Sequence, residues 1–360
     1  MPSCLHPCRA LALALFGIAF AFAHTAPVAF AAVTFPTAAQ PQLAVTVEGR
    51  VFLTYGSGKE IFVVRSDDGG ITFAPPVKVA TAPALMLGMR RGPRVAAHGD
   101  RVTVTFPAKD LLAYTSADAG LTWTGPIIVN DGPDSAREGL HDLAVAPDGR
   151  LFATWLDLRL GKMALFIAES ADSGRTWTHN ELLYRSPEVS ICECCHPTAL
   201  FDVAGNLAVM WRNWLGGSRD LWLLTRPAGS PRFSAPVKQG EGTWKLNGCP
   251  MDGGDIVARN NGTFDTVWQR AGEIFLQSGA SPELRLATGR QPVAARLATG
   301  TLVVWQQGAD LWSAQLSSAN AAGAPALLAS GARFPALVAL PSGGAVLAYE
   351  HGPDIVVEQR

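Results

Sequence analysis

Ser66-Asp67-Asp68-Gly69-Gly70-Ile71-Thr72-Phe73 is the first of three copies of one pattern, in which serine, aspartate, glycine, threonine and an aromatic residue recur at fixed offsets. The second copy occupies residues 116–123 and the third occupies residues 170–177, so the copies start 50 and 54 residues apart. A motif that returns about every 50 residues is typical of a repeat architecture. In a sequence made of short β-like segments, this spacing predicts a β-propeller.

Each copy has the chemistry of a tight turn. The serine hydroxyl and the aspartate carboxylate can accept hydrogen bonds from nearby backbone N–H groups, and the second glycine position supplies the positive φ that such a turn needs. The closing aromatic ring is suited to packing between neighbouring repeats. We expect these turns to be built by Ser66, Asp68, Gly70, Ser116, Asp118, Gly120, Trp123, Ser170, Asp172, Gly174 and Trp177.

The three copies resemble the Asp-box, or BNR repeat, of the sialidase (neuraminidase) superfamily. The resemblance extends over nearly the whole chain after its N-terminal segment, and it implies an all-β propeller of four-stranded blades. In that family the box joins the third and fourth strands of a blade, away from the substrate face, so we expect a structural role for it. The Cys-x-Cys-Cys segment at residues 192–195, followed by Gly248-Cys249-Pro250, looks like a bacterial subgroup of the family.

The composition fits a single large β domain. Of 360 residues, 36 are glycine and 25 are proline, and short β-like segments with glycine and aspartate turns occur throughout. A propeller over residues 32–360 is long enough to bury a large core. Charged residues make up only 16% and the formal net charge is −1, so no basic stripe indicates a nucleic-acid partner.

The N-terminal segment has the features of a secretory signal. Arg9 precedes an apolar run from Ala10 to Ala23, and small-x-small cleavage sites end at Ala23 and Ala31. We therefore predict a signal peptide over residues 1–31, cut after residue 23 or residue 31. The mature protein is expected in the bacterial periplasm or outside the cell, without a membrane anchor.

A second repeat runs through the whole chain: an apolar strand, a turn with glycine, and a strand that often ends in an aromatic residue. It predicts seven blades, whereas the resemblance to known sialidases implies six as the alternative. The last copy is one strand short, and Val33-Thr34-Phe35-Pro36 is predicted to supply that strand and remove the open edge. The seven copies begin at Pro41, Pro93, His141, Pro197, Asp255, Pro292 and Pro335.

The residues that precede each innermost strand of a propeller converge at one end of its central channel. In this chain those positions are rich in cysteine, histidine, methionine and arginine, which marks them as a candidate site. Four cysteines follow the signal segment, three of them in residues 192–195 and the fourth in Gly248-Cys249-Pro250.

Three interpretations of these cysteines are open. An even number in an exported protein first indicates two disulfides, one joining Cys249 to the cluster and one within it. The second interpretation is a site for copper or zinc, because thiolate, imidazole and thioether ligands suit these ions. The third is a c-type haem, since residues 192–196 read C-x-x-C-H, but the extra cysteine and the strand that follows argue against it. The fold itself requires no cofactor, and the candidate ligands are Cys192, Cys194, Cys195, Cys249, His196, His141 and Met251.

The resemblance also implies candidate catalytic residues. Sialidases grip a carboxylate with three arginines, whose planar guanidinium groups match it, and they use a tyrosine activated by a glutamate as nucleophile. In this chain Arg94, Arg290 and Arg333 stand at strand-entry positions, and Tyr349-Glu350 is the candidate nucleophile pair. The arginine that such enzymes carry in their first blade is missing here.

Two functions follow from these observations. The first is an exported binding or accessory module, with a Cys, His, Met and Arg face at the channel that takes a glycan, another small acidic ligand, a protein or a metal. The alternative is an exo-acting glycoside hydrolase of the sialidase type on acidic sugars. The missing first-blade arginine and the unmatched context of Tyr349 favour the binding module.

Overall fold

The computed structural model describes residues 1–2, 31–188, 190–317 and 321–360, so most of the predicted signal segment lies outside the described residues. Ala31–Arg360 forms one compact unit. It consists of seven four-stranded antiparallel sheets, each of which is one blade of a propeller. Within the described part of the chain, no helix is long and apolar enough to cross a membrane.

The strands follow one another in the order in which they build the blades, with a single exception at the N-terminus. That exception is β1 (Val33–Phe35). Blades 1 and 2 contain β2 (Ala39–Val45), β3 (Val51–Ser57), β4 (Glu60–Ser66), β5 (Val77–Thr81), β6 (Arg94–His98), β7 (Arg101–Ala108), β8 (Asp110–Ser116) and β9 (Thr124–Ile128). Blades 3 and 4 contain β10 (His141–Val145), β11 (Leu151–Asp157), β12 (Ala164–Ser170), β13 (Glu181–Tyr184), β14 (Thr198–Phe201), β15 (Leu207–Arg212), β16 (Leu221–Arg226) and β17 (Val237–Lys238).

The last three blades complete the ring. They contain β18 (Asp255–Ala258), β19 (Phe264–Arg270), β20 (Glu273–Ser278), β21 (Leu284–Thr288), β22 (Arg290–Leu297), β23 (Gly300–Gln307), β24 (Asp310–Leu316), β25 (Ala326–Ala329), β26 (Ala332–Ala339), β27 (Ala345–His351) and β28 (Asp354–Gln359). The innermost strands β2, β6, β10, β14, β18, β22 and β26 each contact the next one, and β26 contacts β2 again. The prediction of seven blades is therefore confirmed, and the six-bladed alternative is wrong.

Ring closure uses the strand that the sequence predicted. β1 pairs with β28 in antiparallel register, with Val33 opposite Val357 and Phe35 opposite Ile355. The last blade thus combines one N-terminal strand with three C-terminal strands. Because β28 is paired on both sides, no strand edge opens at the junction of the chain ends.

The second strand of each blade forms the core. Tryptophans at its end are almost completely buried in four blades: Trp155, Trp211, Trp268 and Trp305. A buried aromatic side chain removes roughly 150–250 Å² from water, which is worth about 4–6 kcal/mol per ring before entropy is counted. The strand-ending aromatics of the sequence repeat therefore explain why the blades pack into one unit.

The three repeated turns join the third and fourth strands of blades 1 to 3, and they share one hydrogen-bond pattern. In the second copy, Gly120 N donates to Ser116 Oγ at 2.9 Å, and Thr122 N donates to Asp118 Oδ1 at 2.9 Å. The other two copies make the equivalent bonds at 2.7–2.9 Å. The turn glycines have φ between 85° and 92°, a conformation that costs little only for glycine.

Candidate functional site

The loops that enter the innermost strands meet at one end of the central channel. The channel is a 430 Å³ cavity lined by all seven innermost strands. At its entry a smaller cavity of 110 Å³ is bordered by Arg90, Arg94, Asp142, His196 and Asp255. The end of the channel that the sequence marked as a candidate site therefore holds a cluster of charged side chains at its entry.

Arg94 is tied to the protein at this entry. Its side chain is buried, its Nε lies 3.6 Å from Asp142 Oδ1, and its Nη2 donates to the carbonyl of Arg90 at 2.7 Å. Burial lowers the pKa of Arg94, and the nearby Asp142 carboxylate opposes that shift. The guanidinium group that the resemblance assigned to a substrate clamp is thus engaged in contacts within the fold.

Two carboxylates in the channel accept hydrogen bonds from backbone N–H groups of the next blade. Asp142 Oδ2 accepts a hydrogen bond from Ala199 N at 2.8 Å, and Asp255 Oδ2 accepts one from Ala294 N at 2.9 Å. These amides lie on the free edge of an innermost strand and need a partner. Burial raises the pKa of Asp255 to about 6, although backbone hydrogen bonds favour its ionised form.

Arg290 and Arg333 line a separate cavity of 440 Å³ at the rim, over blades 6, 7 and 1. Arg333 Nε donates to Glu350 Oε2 at 2.8 Å, and Glu350 Oε1 accepts two hydrogen bonds from Gln40. Arg290 is exposed, and its side chain has no hydrogen-bond or ion-pair partner among the described residues. Two of the three predicted clamp arginines therefore share one cavity, whereas Arg94 lies in the channel entry.

Tyr349 and Glu350 point to opposite faces of β27, as consecutive strand residues do. The Tyr349 side chain is buried in the core between blades 6 and 7, and burial raises its pKa to about 12. Among the described residues that line the channel and rim cavities, Tyr349 is absent, while Glu350 lines the rim cavity. The structure does not bring this tyrosine into contact with the arginines.

Cys192, Cys194 and Cys195 form a compact cluster just before β14. The Sγ atom of Cys192 lies 3.7 Å from that of Cys194 and 3.5 Å from that of Cys195, and all three lie within 4.8 Å of one another. Their side chains are 0%, 6% and 1% exposed, respectively. None of these cysteines is joined to another, or to Cys249, by a disulfide in the structure.

Two arginines place positive charge beside this cluster. Arg219 Nη1 donates to Cys192 Sγ at 3.2 Å, and its guanidinium stacks over Trp214 at 4.8 Å. Arg212 is buried and donates to three backbone carbonyls, including that of Arg219 at 2.7 Å. Arg219 therefore contacts the Cys192 thiol directly, and Arg212 acts on it through its charge.

The three thiols differ in acidity. Hydrogen bonding with Cys194 and Cys195 lowers the pKa of Cys192, and the charges of Arg212 and Arg219 add to this effect. The same contact with Cys192 raises the pKa of Cys194, while burial raises the pKa of Cys195 to about 12. The cluster therefore favours one thiolate, on Cys192, held by two neighbouring thiols and a guanidinium.

The other predicted ligands are distributed around the cluster. Met251 packs against the three cysteines, and Cys249 is exposed two residues before it. His196 lines the channel entry, and His141 Nε2 lies 3.0 Å from Thr105 Oγ1 in a buried position. Burial, followed by nearby arginine charge, lowers the pKa of both histidines well below 6.5. Within the described residues, only the three cysteines form a group of potential metal ligands.

Gln291 connects the cluster to the channel entry, and sequence reasoning missed it. Asp252 N donates to Cys195 Sγ at 3.4 Å, and Asp252 Oδ2 accepts from Gln291 N at 2.6 Å. Gln291 Oε1 in turn accepts from Arg90 Nε at 2.7 Å. A single glutamine at a strand entry does not stand out in the sequence. The available signal is that Gln40 and Gln291 occupy the same place in their repeats, one residue before the strand-entry proline.

No protein-family model matches this sequence, and no curated protein is significantly similar to it. Solved structures, in contrast, share its architecture. Virginiamycin B lyase from Staphylococcus aureus aligns with a TM-score of 0.58 and 14% identity, over 91% of this chain and 98% of the lyase. The polysaccharide lyase Uly1 aligns with a TM-score of 0.59 and 8% identity, over 92% and 99%.

An intramolecular trans-sialidase from Ruminococcus gnavus aligns with a TM-score of 0.50 and 12% identity, over 93% of this chain and 98% of that enzyme. The shared feature is the β-propeller. At these identities the likeness shows the propeller fold and does not carry an activity. The chemistry of this chain has to be argued from its own residues.

Proposed function

We propose that this protein is an exported binding module that holds a soft metal ion in the Cys192, Cys194 and Cys195 cluster. One observation carries the proposal: three buried Sγ atoms lie within 4.8 Å of one another, beside the guanidinium of Arg219. Buried thiols with this arrangement are a familiar ligand set for thiophilic ions. The predicted signal segment supports export, and mass determination of the exported chain tests whether cleavage follows residue 23 or 31.

The distances support metal coordination. With metal–sulfur bonds of about 2.3 Å, ligands in a tetrahedral site lie about 3.8 Å apart. The Sγ atom of Cys192 is 3.7 Å and 3.5 Å from its two neighbours. Small side-chain adjustments therefore suffice to place all three sulfurs on one ion.

The ligand set and the local charge favour copper(I) over zinc. Three sulfur ligands, with the thioether of Met251 packed against them, suit a soft monovalent ion, whereas structural zinc takes four ligands. Three thiolates and one copper(I) carry a net charge of about −2 by the usual ligand charges, and Arg212 and Arg219 supply two positive charges. A buried site of this kind is balanced without further counter-ions.

The test is an anaerobic titration of protein isolated from the periplasm. We expect one copper(I) per chain, held against a chromophoric chelator, and weaker binding of zinc. Cys192→Ser and Cys194→Ser should each lower copper affinity at least tenfold, whereas Met86→Leu, at an exposed methionine elsewhere, should not. A folded wild-type protein without copper binding, or cysteine variants with unchanged affinity, would contradict the proposal.

The rim cavity supports a second candidate, the binding of a small acidic ligand. Its 440 Å³ volume, the exposed Arg290 and the Arg333–Glu350 pair form a site where a carboxylate can meet a guanidinium. We expect N-acetylneuraminic acid or galacturonic acid to bind by calorimetry, and Arg290→Ala to remove that binding. Arg285→Ala, which removes an exposed arginine on β21, is the matched control.

The glycoside hydrolase alternative makes a different prediction. It requires a nucleophile beside the bound sugar, and the buried Tyr349 lies on the core face of β27. We expect no release of fluorophore from a 4-methylumbelliferyl sialoside. Turnover that is lost in Tyr349→Phe, with the fold intact, would support the hydrolase instead.

A further inference from the structure

The cysteine cluster is covered by the segment between blades 4 and 5, residues 239–254, which we name the cover loop. Its first part is anchored on blade 5, where Gly240 N donates to Gln277 and Glu241 N donates to Glu283. Its middle is anchored on blade 4, since Trp244 N donates to Asp220 Oδ1 at 2.8 Å. These bonds fix the approach of the loop to the cluster.

The tip of the cover loop, residues 247–250, differs from the rest. None of these four residues makes a hydrogen bond within the described part of the chain, and Cys249 is exposed. The residues on both sides are held: the Leu246 carbonyl accepts from Arg219 Nε at 3.2 Å, and the Met251 carbonyl accepts from Gln291. The tip is therefore a four-residue segment whose flanking residues are hydrogen-bonded and whose own residues are not, within the described part of the chain.

The fixed ends of the tip lie at the cluster itself. The guanidinium of Arg219 that binds the Leu246 carbonyl also donates to Cys192 Sγ at 3.2 Å. Met251 packs against the three cysteines, and Cys249 is only two residues away, a chain reach of roughly 7 Å. The exposed Cys249 thiol therefore lies on the segment that covers the cluster, close enough to Arg219 to interact with its charge.

We propose that Cys249 is an entry thiol, which takes copper(I) from a carrier at the surface and passes it to the buried cluster. This inference rests on the proposed metal-binding function. The three cluster thiols are at most 6% exposed, so a macromolecular carrier cannot contact them. Cys249 is the cysteine of the site that such a partner can reach, and the partner is a protein that presents copper(I) on exposed thiolate or thioether ligands.

The transfer is a ligand exchange without a change of oxidation state. The Cys249 thiol releases its proton to solvent and replaces one ligand of the carrier on copper(I). The Cys192 thiolate, already hydrogen-bonded by Arg219, then replaces Cys249, which takes up a proton from solvent again. Cys194 and Cys195 each release a proton to solvent as their sulfurs bind the same ion. Copper remains copper(I) throughout, and the carrier leaves with its own ligands.

The experiment compares the rate of loading with the affinity at equilibrium. Anaerobic protein is mixed with copper(I) as a bulky bis-bicinchoninate complex or as the small acetonitrile complex. We expect Cys249→Ser to slow loading from the bulky complex at least tenfold, and to leave the equilibrium affinity and the rate with the acetonitrile complex within about twofold. Asn247→Ser, a substitution in the same tip, should load like the wild type.

The outcomes separate the inference from the proposed function. Equal loading rates for wild type and Cys249→Ser overturn the entry role while copper binding stands. A tenfold loss of equilibrium affinity in Cys249→Ser makes Cys249 a permanent ligand and also overturns it. A wild-type protein that binds no copper(I) from either complex overturns the proposed function and this inference together.

Discussion

Arg219 shows how one residue sets the character of the candidate site. Its guanidinium donates a hydrogen bond to Cys192 Sγ, stacks on the ring of Trp214, and donates a second hydrogen bond to the Leu246 carbonyl of the cover loop. Lysine could supply the charge but not three directed contacts, because only guanidinium has a planar set of donors. The thiolate and the loop that covers it therefore depend on the same side chain.

Removing that charge should change the acidity of the cluster. We expect Arg219→Gln to raise the pKa of Cys192, because a hydrogen bond and a positive charge that favour the thiolate are both lost. Thiolate absorbance near 240 nm at neutral pH should fall relative to wild type. Arg285→Gln serves as the control, and an unchanged titration in Arg219→Gln would show that the neighbouring thiols alone hold the thiolate.

Asp255 gives a prediction on pH and stability. Its folded-state pKa of about 6 lies above the ordinary 3.8, so the native protein binds the extra proton. The contribution of Asp255 to the unfolding free energy is therefore fully present below about pH 4 and is lost as the pH rises through about 6, a change of about 3 kcal/mol. Asp255→Asn keeps an acceptor for Ala294 N and should gain stability relative to wild type across this range, in urea unfolding.

An exposed carboxylate supplies the comparison for that experiment. Asp100→Asn alters an aspartate at the surface, where solvent screens its interactions. Its unfolding free energy relative to wild type, followed over the same pH range, is the baseline for Asp255→Asn. If the stability difference between Asp255→Asn and wild type changed with pH no more than that of Asp100→Asn, the pKa of the buried carboxyl would not be raised in the folded protein.

The repeated turns act at the scale of the blade, because each one packs against the blade before it. A Cβ atom added at Gly174 in blade 3 would lie 2.9 Å from Thr103 Cγ2 and 3.1 Å from Thr115 Cγ2 in blade 2. The hydroxyl of Thr103 also donates to the Ser173 carbonyl at 2.8 Å. The glycine is needed both for its φ of 85° and for this close approach.

Gly174→Ala should therefore lower the unfolding free energy more than the same substitution at a glycine whose added Cβ would contact nothing. Gly161 has a similar φ of 76°, and a Cβ there would have no neighbour within 4 Å. We expect Gly161→Ala to lower the unfolding free energy by about 1–2 kcal/mol from backbone strain, and Gly174→Ala to lower it by at least 1 kcal/mol more. Equal urea unfolding midpoints for the two variants would show that blades 2 and 3 accommodate the added methyl group at residue 174 without loss of stability.

Closure of the ring belongs to the whole molecule. Phe35 on β1 is buried and lies 5.8 Å from the ring of Tyr55 and 5.6 Å from that of Phe73, both in blade 1. β1 thus completes blade 7 and also packs against the first blade. Two chain ends that are more than 300 residues apart are joined by one short strand.

Phe35→Ala should loosen that junction. The loss of a buried aromatic side chain costs about 3–5 kcal/mol, and we expect a lower thermal midpoint together with association at higher protein concentration, since the β28 edge becomes available. Val47→Ala, at an exposed valine in the β2–β3 hairpin, is the control. A thermal midpoint equal to that of the control would show that the ring stays closed without the Phe35 side chain.

The sequence by itself determined the seven-bladed architecture and the closing strand. Turn chemistry and strand-ending aromatics are local patterns, and they repeat because each blade solves the same packing problem. Only the tertiary structure decided which polar residues meet. Cys192 and Arg219 are 27 residues apart, and Cys195 and Asp252 are 57 apart in neighbouring blades. Contacts of this kind arise from how blades pack around the axis, so the sequence shows the cysteines but not the arginines that lie against them or the loop that covers them.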